Sequence, residues 1–409
     1  MNFFTAFYLV MFFFGLFFLF IFMILHYRNK DKLYSYPKPK IIPSVSIIVP
    51  AYNEENNIAA TLNALINLEY PAGKKEIIVV DDESTDKTLE IAKKFAEKYS
   101  AIKLIHKKNS GKADSVNVGI KRAKGELIAV VDADSYPNKD ALLKMIGYFD
   151  EVGVAAVTSR VLVKNKENWL TKFQVMDYSI IAWTRKLLDF IDSVYVTNGP
   201  ISVYRKDVLL EIGGFDKKNL TEDIEVTWNI LSRGYKTRMS YSAIVYTTVP
   251  EKFTVWVKQR IRWNLGGIQT IWKYWKSIIN SPNYIFGRFV IPYVTTSFIL
   301  ALIGLFLVIR SIWITGSYHL YSLYYAFSGY SLFKYADFNF SISLLFIFAV
   351  IFLVCGIWYY KVGFKNSETG KKGIFSILAY SFIYRAFYVI PLVLAIYKMV
   401  RGDLRWYTK

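Results

Sequence analysis

Apolar positions along this chain fall into two different patterns. At the ends they form unbroken runs. Met1 to Leu25 carries no charge, and further uncharged runs lie at Phe289–Ile309, Ser311–Phe333 and Phe338–Tyr360, with a last one at Gly373–Tyr397 interrupted by Arg385. About 20 such residues cross a bilayer as a helix. The first run lacks a basic start and a small-x-small cleavage site, so it reads as a membrane anchor rather than a signal peptide. Arg28, Lys30, Lys32, Lys38 and Lys40 follow it, which places what comes next in the cytoplasm. The Ser311–Phe333 run is weaker, with Thr315-Gly316-Ser317 inside it, and reads either as a re-entrant or interfacial piece or as a further span. Four spans put the C-terminus outside and five put it inside. The basic residues on either side of the last run do not decide between them.

In the middle the pattern turns periodic. Val45–Val49, Ile77–Val80, Ile102–Ile105 and Leu127–Val131 are short β-branched runs of the kind buried in a parallel sheet. Between them lie the helical stretches Asn56–Leu68, Asp86–Tyr99 and Lys112–Ala123, the first with Ile58, Leu62, Leu65 and Ile66 on one face. Such alternation predicts right-handed βαβ units, an α/β domain tethered at the membrane. Phe253–Ile279 mixes Trp256, Trp263, Trp272 and Trp275 with Lys and Arg, as expected of an interfacial amphipathic helix. The resulting division is an anchor at 1–27, a basic linker at 28–43 stiffened by Pro37, Pro39 and Pro43, and an α/β domain at 44–250. An interfacial part follows at 251–284, then a membrane region of three or four segments at 285–398 and a basic tail at 399–409.

Composition narrows this further. With 54% hydrophobic residues the 409-residue chain is neither disordered nor an ordinary soluble globule. Fifty-one Lys and Arg against 32 Asp and Glu give +19, which suits a phosphate-bearing partner. Nucleic acid would explain that charge but not the acidic clusters described next, and basic membrane flanks explain it better. One cysteine, Cys355, excludes an intrachain disulfide, and three histidines leave little for His-based chemistry.

Ligands of open α/β sheets sit beyond the carboxyl ends of the strands. The first strand runs into Tyr52-Asn53-Glu54, the second into Asp81-Asp82, the fourth into Asp132-Ala133-Asp134. Asp132 and Asp134 supply hard oxygen donors suited to Mg²⁺ or Mn²⁺, with substrate phosphates as further ligands. Asp81 and Asp82 suit a ribose or base amide, or else a helix cap. Neither GxGxxG nor GxxxxGKS follows a strand, which disfavours a dinucleotide enzyme and a P-loop ATPase. Asp223, in Thr221-Glu222-Asp223, suits a general base, or else the N-cap of a helix over Ile224–Ser232. In Gln259-Arg260-Ile261-Arg262-Trp263 an arginine offsets charge on a departing diphosphate and the indole offers a stacking face for a sugar.

Val49-Pro-Ala-Tyr-Asn-Glu54, Val80-Asp-Asp-Glu-Ser-Thr-Asp86, Gly111-Lys-Ala113, Asp132-Ala-Asp134, Thr221-Glu-Asp223 and Gln259-Arg-Ile-Arg-Trp263, in this order, resemble the membrane-embedded, processive family 2 glycosyltransferases. That group includes cellulose, chitin, hyaluronan and poly-N-acetylglucosamine synthases. The resemblance implies a Rossmann-like GT-A fold and an inverting, metal-dependent transfer of a hexose or N-acetylhexosamine from a UDP-sugar to a growing polysaccharide. It implies that Tyr52, Glu54, Asp81, Asp82, Lys112, Asp132 and Arg260 meet the nucleotide sugar, and that Asp132 and Asp134 hold the metal. It further implies that Asp223 is the base, with Gln259, Arg262 and Trp263 closing the site, and that Thr197, Asn198, Gly199, Glu222 and Trp263 meet the acceptor. Transfer to a polyprenyl-phosphate-linked glycan is the alternative, and a transporter or receptor with a nucleotide-binding domain is a more distant one. Few C-terminal spans put a continuous export channel in doubt. Membrane lipids are expected partners; oligomeric state is not legible.

Overall fold

The computed structural model describes residues 3–327, 344–366 and 372–402. Its centre is one eight-stranded sheet. The strands are β1 (Val45–Ala51), β2 (Lys75–Asp81), β3 (Ile102–His106), β4 (Leu127–Val130), β5 (Ser135–Pro137), β6 (Val154–Val163), β7 (Ser202–Arg205) and β8 (Lys236–Thr247). They lie in the order β3-β2-β1-β4-β7-β6-β8-β5. The first four are parallel as the sequence predicts, with Ile47 beside Ile77 and Ala129. The other half is mixed. β7 runs antiparallel to both β4 and β6, while β6 and β8 pair in parallel.

Every residue of β1 is buried, because helices cover both faces of the sheet. Side chains alternate between two cores. Ile47 and Val49 join Ile77, Val79, Leu127 and Ala129 under the Ile58–Ile66 helix, whose Ile58, Leu62 and Leu65 face inward. Ile48 joins Ile78, Val80, Ile128 and Val130 against Val116 and Ile120 of the Lys112–Arg122 helix. That helix comes so close that a β-carbon on Gly119 would stand 2.6 Å from the Ile48 side chain.

Among the described residues four helices are long and apolar enough to cross a membrane: Phe4–Lys32, Phe286–Tyr321, Leu344–Lys365 and Ile374–Val400. Ser311 to Phe327 corrects one expectation. It is neither re-entrant nor a separate span, because the helix Ile291–Phe327 continues straight through it. The hydroxyl of Ser317 donates to the carbonyl of Trp313, so the polar residue is satisfied within the helix. The remainder of that run, and Arg405-Trp406 in the tail, lie outside the described residues. Asn366, after the Leu344–Lys365 helix, lies on the α/β domain's side of the membrane region. Its carbonyl accepts from Tyr34 at 3.0 Å and from Tyr241 of β8 at 2.6 Å.

The Phe253–Tyr274 helix, expected to be interfacial, packs against the α/β domain on one side and the last apolar helix on the other. Leu220, Ile261, Leu265 and Ala395 share a cluster, and Trp256 lies against Tyr384 and Tyr388.

Candidate active site

The chemistry-bearing residues gather beyond the carboxyl ends of β1, β2 and β4. Register explains the first convergence. Asp81 ends β2 directly beside Ala51 of β1 on one side and His106 of β3 on the other. The buried Asp81 carboxylate bonds His106 Nδ1 at 2.7 Å through Oδ2, while Oδ1 is buried with no hydrogen-bond partner. A buried acceptor left without a partner is uncommon and points to a donor from outside the chain. Tyr52 is exposed beside it, and Asn53 and Glu83 take left-handed backbone conformations (φ 53° and 63°) that turn the two loops onto each other. Asn53 N–H donates to Ser84 Oγ, and Thr85 N–H donates to Asn53 Oδ1. Glu54 accepts from Asn57 and closes the turn into the next helix.

Asp82 points elsewhere. Its oxygens accept from Lys107 Nζ and from the backbone N–H groups of Ser110 and Gly111 at 3.1 and 2.9 Å. Asp82 therefore holds the loop that ends at Gly111, whose φ of 93° favours glycine, and so aims the next residue, Lys112. Asp82 is not a helix cap, since neither the Thr88–Lys98 nor the Lys112–Arg122 helix has a side-chain cap; it braces the loop between them.

Lys112 is the centre of the site. Its Nζ lies 2.7 Å from Asp132 Oδ1 and 2.7 Å from Glu222 Oε1. One ammonium thus joins the end of β4 to the start of the Glu222–Ser232 helix. Burial lowers its proton affinity, but Asp132, Glu222 and Asp223 outweigh that and hold it above the usual lysine range. Thr197-Asn198-Gly199 enters between them because Ser202 of β7 pairs with Val130 of β4. The carbonyl of Gly199 accepts from Asp132 N–H at 3.2 Å. A β-carbon there would lie 2.3 Å from Asp132 Oδ2 and 2.9 Å from Lys112 Nζ, so the position needs glycine for close approach.

Asp223 sits in the first turn of its helix, after Thr221 and Glu222, and so is not the N-cap. One oxygen accepts from Ile224 N–H at 2.9 Å. Burial, then the neighbouring Glu222 charge, raises its carboxyl to about 6, despite Lys112 and Arg262. Glu222 goes the other way: burial works to raise it, but Lys112 and Arg262 hold it below the usual range. Its Oε2 is buried without a partner. The two adjacent acids thus differ in proton affinity, Asp223 holding its proton more firmly than Glu222.

Arg262 reaches the same cluster and donates to the carbonyl of Leu220 at 3.3 Å. Gln259 Oε1 is buried and without a hydrogen-bond partner. Arg260, expected on the diphosphate, is 1% exposed and directed away to Asp177 at 3.4 Å. Its guanidinium stacks on Trp263 at 3.9 Å, so one face of that indole is covered by protein. Sequence reasoning passed over Asp177, Tyr178, Arg185 and His106, which belong to no motif quoted above. Arg185 donates to Asn198 Oδ1. Burial, and the charges of Asp134 and Asp132 among others, raise Tyr178 to about 12. Register with Asp81 at the end of β3 was the available signal for His106.

The donor set fits a divalent cation that shares its shell with phosphates. Asp132 and Asp134 follow the end of β4 and supply carboxylate oxygens of the kind such a cation takes, and Lys112 ties Asp132 to Glu222. Among the described residues no third acid, His or Cys completes a closed cage with them.

The family model described as Glycosyl transferase family 2 matches residues 46–213. "Probable glycosyltransferase YdaM" of Bacillus subtilis (strain 168) is 35% identical over 245 residues, covering 58% of this chain and 58% of its own. A poly-beta-1,6-N-acetyl-D-glucosamine synthase of Staphylococcus aureus (strain MSSA476) is 31% identical over 245 residues, 59% of each. The match thus spans less than two thirds of either relative. A mannosyltransferase from Pyrobaculum calidifontis, solved with GDP-Man and Mn2+, aligns with a TM-score of 0.55 at 20% identity, covering 86% of this chain and 98% of that one. At that identity the likeness is one of fold. The matched residues carry most of the sheet, up to β7, together with Asp81, Lys112 and Asp132, and over them the chain is similar to glycosyl transferase family 2.

Proposed function

We propose that this chain transfers a hexose or N-acetylhexosamine from a UDP-sugar, with inversion, to a growing polysaccharide at the cytoplasmic face of a membrane. The observation that carries the reading is the bridge made by Lys112, 2.7 Å from both Asp132 and Glu222. It brings carboxylates from distant segments to one point, with Asp223 beside them. The poly-N-acetylglucosamine synthases among the relatives favour a polymer as product.

Asp81 accepts from the base through its free Oδ1, with His106 fixing the carboxylate, and Tyr52 and Glu54 line the same loop. Asp132 and Asp134 would hold Mg²⁺ or Mn²⁺, which would supply positive charge against that of the leaving diphosphate. Lys112 and Arg262 add positive charge on the same side. Gln259 and Trp263 receive the acceptor, with Thr197–Gly199 and Glu222 forming its wall. The acceptor hydroxyl oxygen attacks the anomeric carbon as the bond to the β-phosphate oxygen breaks. UDP leaves with the electron pair, and the hydroxyl proton passes to Asp223. A carboxyl raised to about 6 is a stronger base than an ordinary aspartate and is still ionised at neutral pH. No protein nucleophile is needed, so one displacement inverts the centre.

Purified full-length protein in lipid nanodiscs, given labelled UDP- and GDP-sugars with Mn²⁺, tests this. A ladder of products from a UDP-sugar is expected. A single unit added to a lipid acceptor overturns the polymer reading, and no transfer from any UDP-sugar overturns the activity.

A further inference from the structure

Asp177 is a buried acid that the reaction scheme leaves unused. It lies on the Trp169–Asp189 helix with no solvent exposure, and groups from two other helices converge on it. Tyr380 donates to Oδ1 at 2.9 Å, and Tyr388 donates to Oδ2. Arg385 Nη1 stands 3.6 Å from Oδ1. All three belong to the last apolar helix. From the other side comes Arg260, whose Nη2 is 3.4 Å from Oδ2 and whose Nε and Nη1 are buried without hydrogen-bond partners.

This arrangement leaves Arg260 little choice of position. A buried guanidinium that loses its carboxylate becomes an uncompensated charge and must move or draw in water. Its flat face meanwhile supports the Trp263 indole at 3.9 Å and lies 5.1 Å from the Tyr388 ring. Displacing Arg260 removes the surface against which Trp263 rests. Arg185, about two turns further along the same helix, donates to Asn198 Oδ1, so the helix that carries Asp177 also reaches the Thr197–Gly199 segment.

We propose that Asp177 is a positioning residue that fixes Arg260 against Trp263 and ties this stack to the last apolar helix through Arg385, Tyr380 and Tyr388. The orientation of the acceptor-side indole is then set from the membrane region. The acceptor role of Trp263 rests on the function proposed above; its placement by Asp177 does not.

The test uses the full chain labelled with 5-fluorotryptophan in nanodiscs, with the Trp263 fluorine signal assigned by Trp263→Phe. Asp177→Asn is expected to move that signal beyond its line width, and Asp177→Glu to bring it part of the way back. Arg385→Gln guards against misfolding of the first variant, since Arg385 is half exposed and does not belong to the Trp263 stack, and it too is expected to move the signal. In transfer assays Asp177→Asn and Arg385→Gln should raise acceptor KM roughly tenfold with donor KM unchanged, the split expected of an acceptor-side defect. A Trp263 signal unmoved by Arg385→Gln, or donor and acceptor KM rising together, overturns the proposal. A moved signal with unchanged acceptor KM upholds the positioning and overturns the acceptor role of Trp263 instead.

Discussion

Asp223 is pulled two ways. Burial and Glu222 favour its neutral form, while Lys112 and Arg262 favour its charged form, and the outcome is a carboxyl near 6. A base must be ionised to act, so kcat/KM should be level above pH 6 and fall about tenfold per unit below it. A limb near pH 4 would contradict the environment described. Asp223→Asn should abolish transfer, a loss of at least about 10²-fold, while calorimetry shows UDP binding kept. Its melting temperature gives an independent check. A carboxyl whose folded value lies above its unfolded one costs stability while ionised. Asp223→Asn should therefore melt no lower than wild type at pH 7, with the difference shrinking as pH falls from 6 towards 4. A large loss of melting temperature would mark Asp223 as structural.

Between elements, the decisive contact joins the Glu222–Ser232 and Phe253–Tyr274 helices. A β-carbon on Gly266 would stand 2.1 Å from Thr221 Oγ1, immediately before the two acids. One turn further, Glu225 accepts from Lys273 and Tyr274 at 2.6 and 2.7 Å. Gly266→Ala should push the helices apart, costing about 1–3 kcal/mol as overpacking does, with transfer falling more than UDP affinity. Unaltered melting and turnover would show that the contact does not set Asp223. This pairing was not legible in the sequence, because a mid-helix glycine carries no sign of what it faces. β1 to β4 were legible, since continuous β-branched runs between amphipathic helices specify a sheet buried on both faces. β6, β7 and β8 were not, because their partners are chosen by tertiary pairing: Val130 finds Ser202, far along the chain. That acids gather beyond the strand ends was legible, because β-strands fix where their last residues emerge; where each carboxylate then turns, as Asp82 does to Ser110 and Gly111, was not. Arg260 goes elsewhere because helical residues two apart are rotated by about 200°, onto nearly opposite faces, so a helix that brings Arg262 towards Glu222 turns Arg260 to Asp177.

Across the whole molecule, apolar clusters join the α/β domain to the membrane region, and specific polar ties reinforce them. Tyr34 and Tyr241 both donate to the Asn366 carbonyl, and Asp177 gathers the last apolar helix. Position 372 must then share the side of the α/β domain. With Cys355 replaced by Ala, a cysteine introduced by Lys372→Cys should react with a membrane-impermeant maleimide in inverted vesicles and resist it in intact cells. Labelling in intact cells would contradict the cytoplasmic orientation. The central claim is that acids from β2, β4 and the Glu222–Ser232 helix surround one cation-bound sugar nucleotide. Mn²⁺ electron paramagnetic resonance in the presence of UDP tests it most directly. Hyperfine coupling to phosphorus is expected in wild type and absent in Asp134→Ala, whereas the same Mn²⁺ spectrum in both proteins would contradict the account.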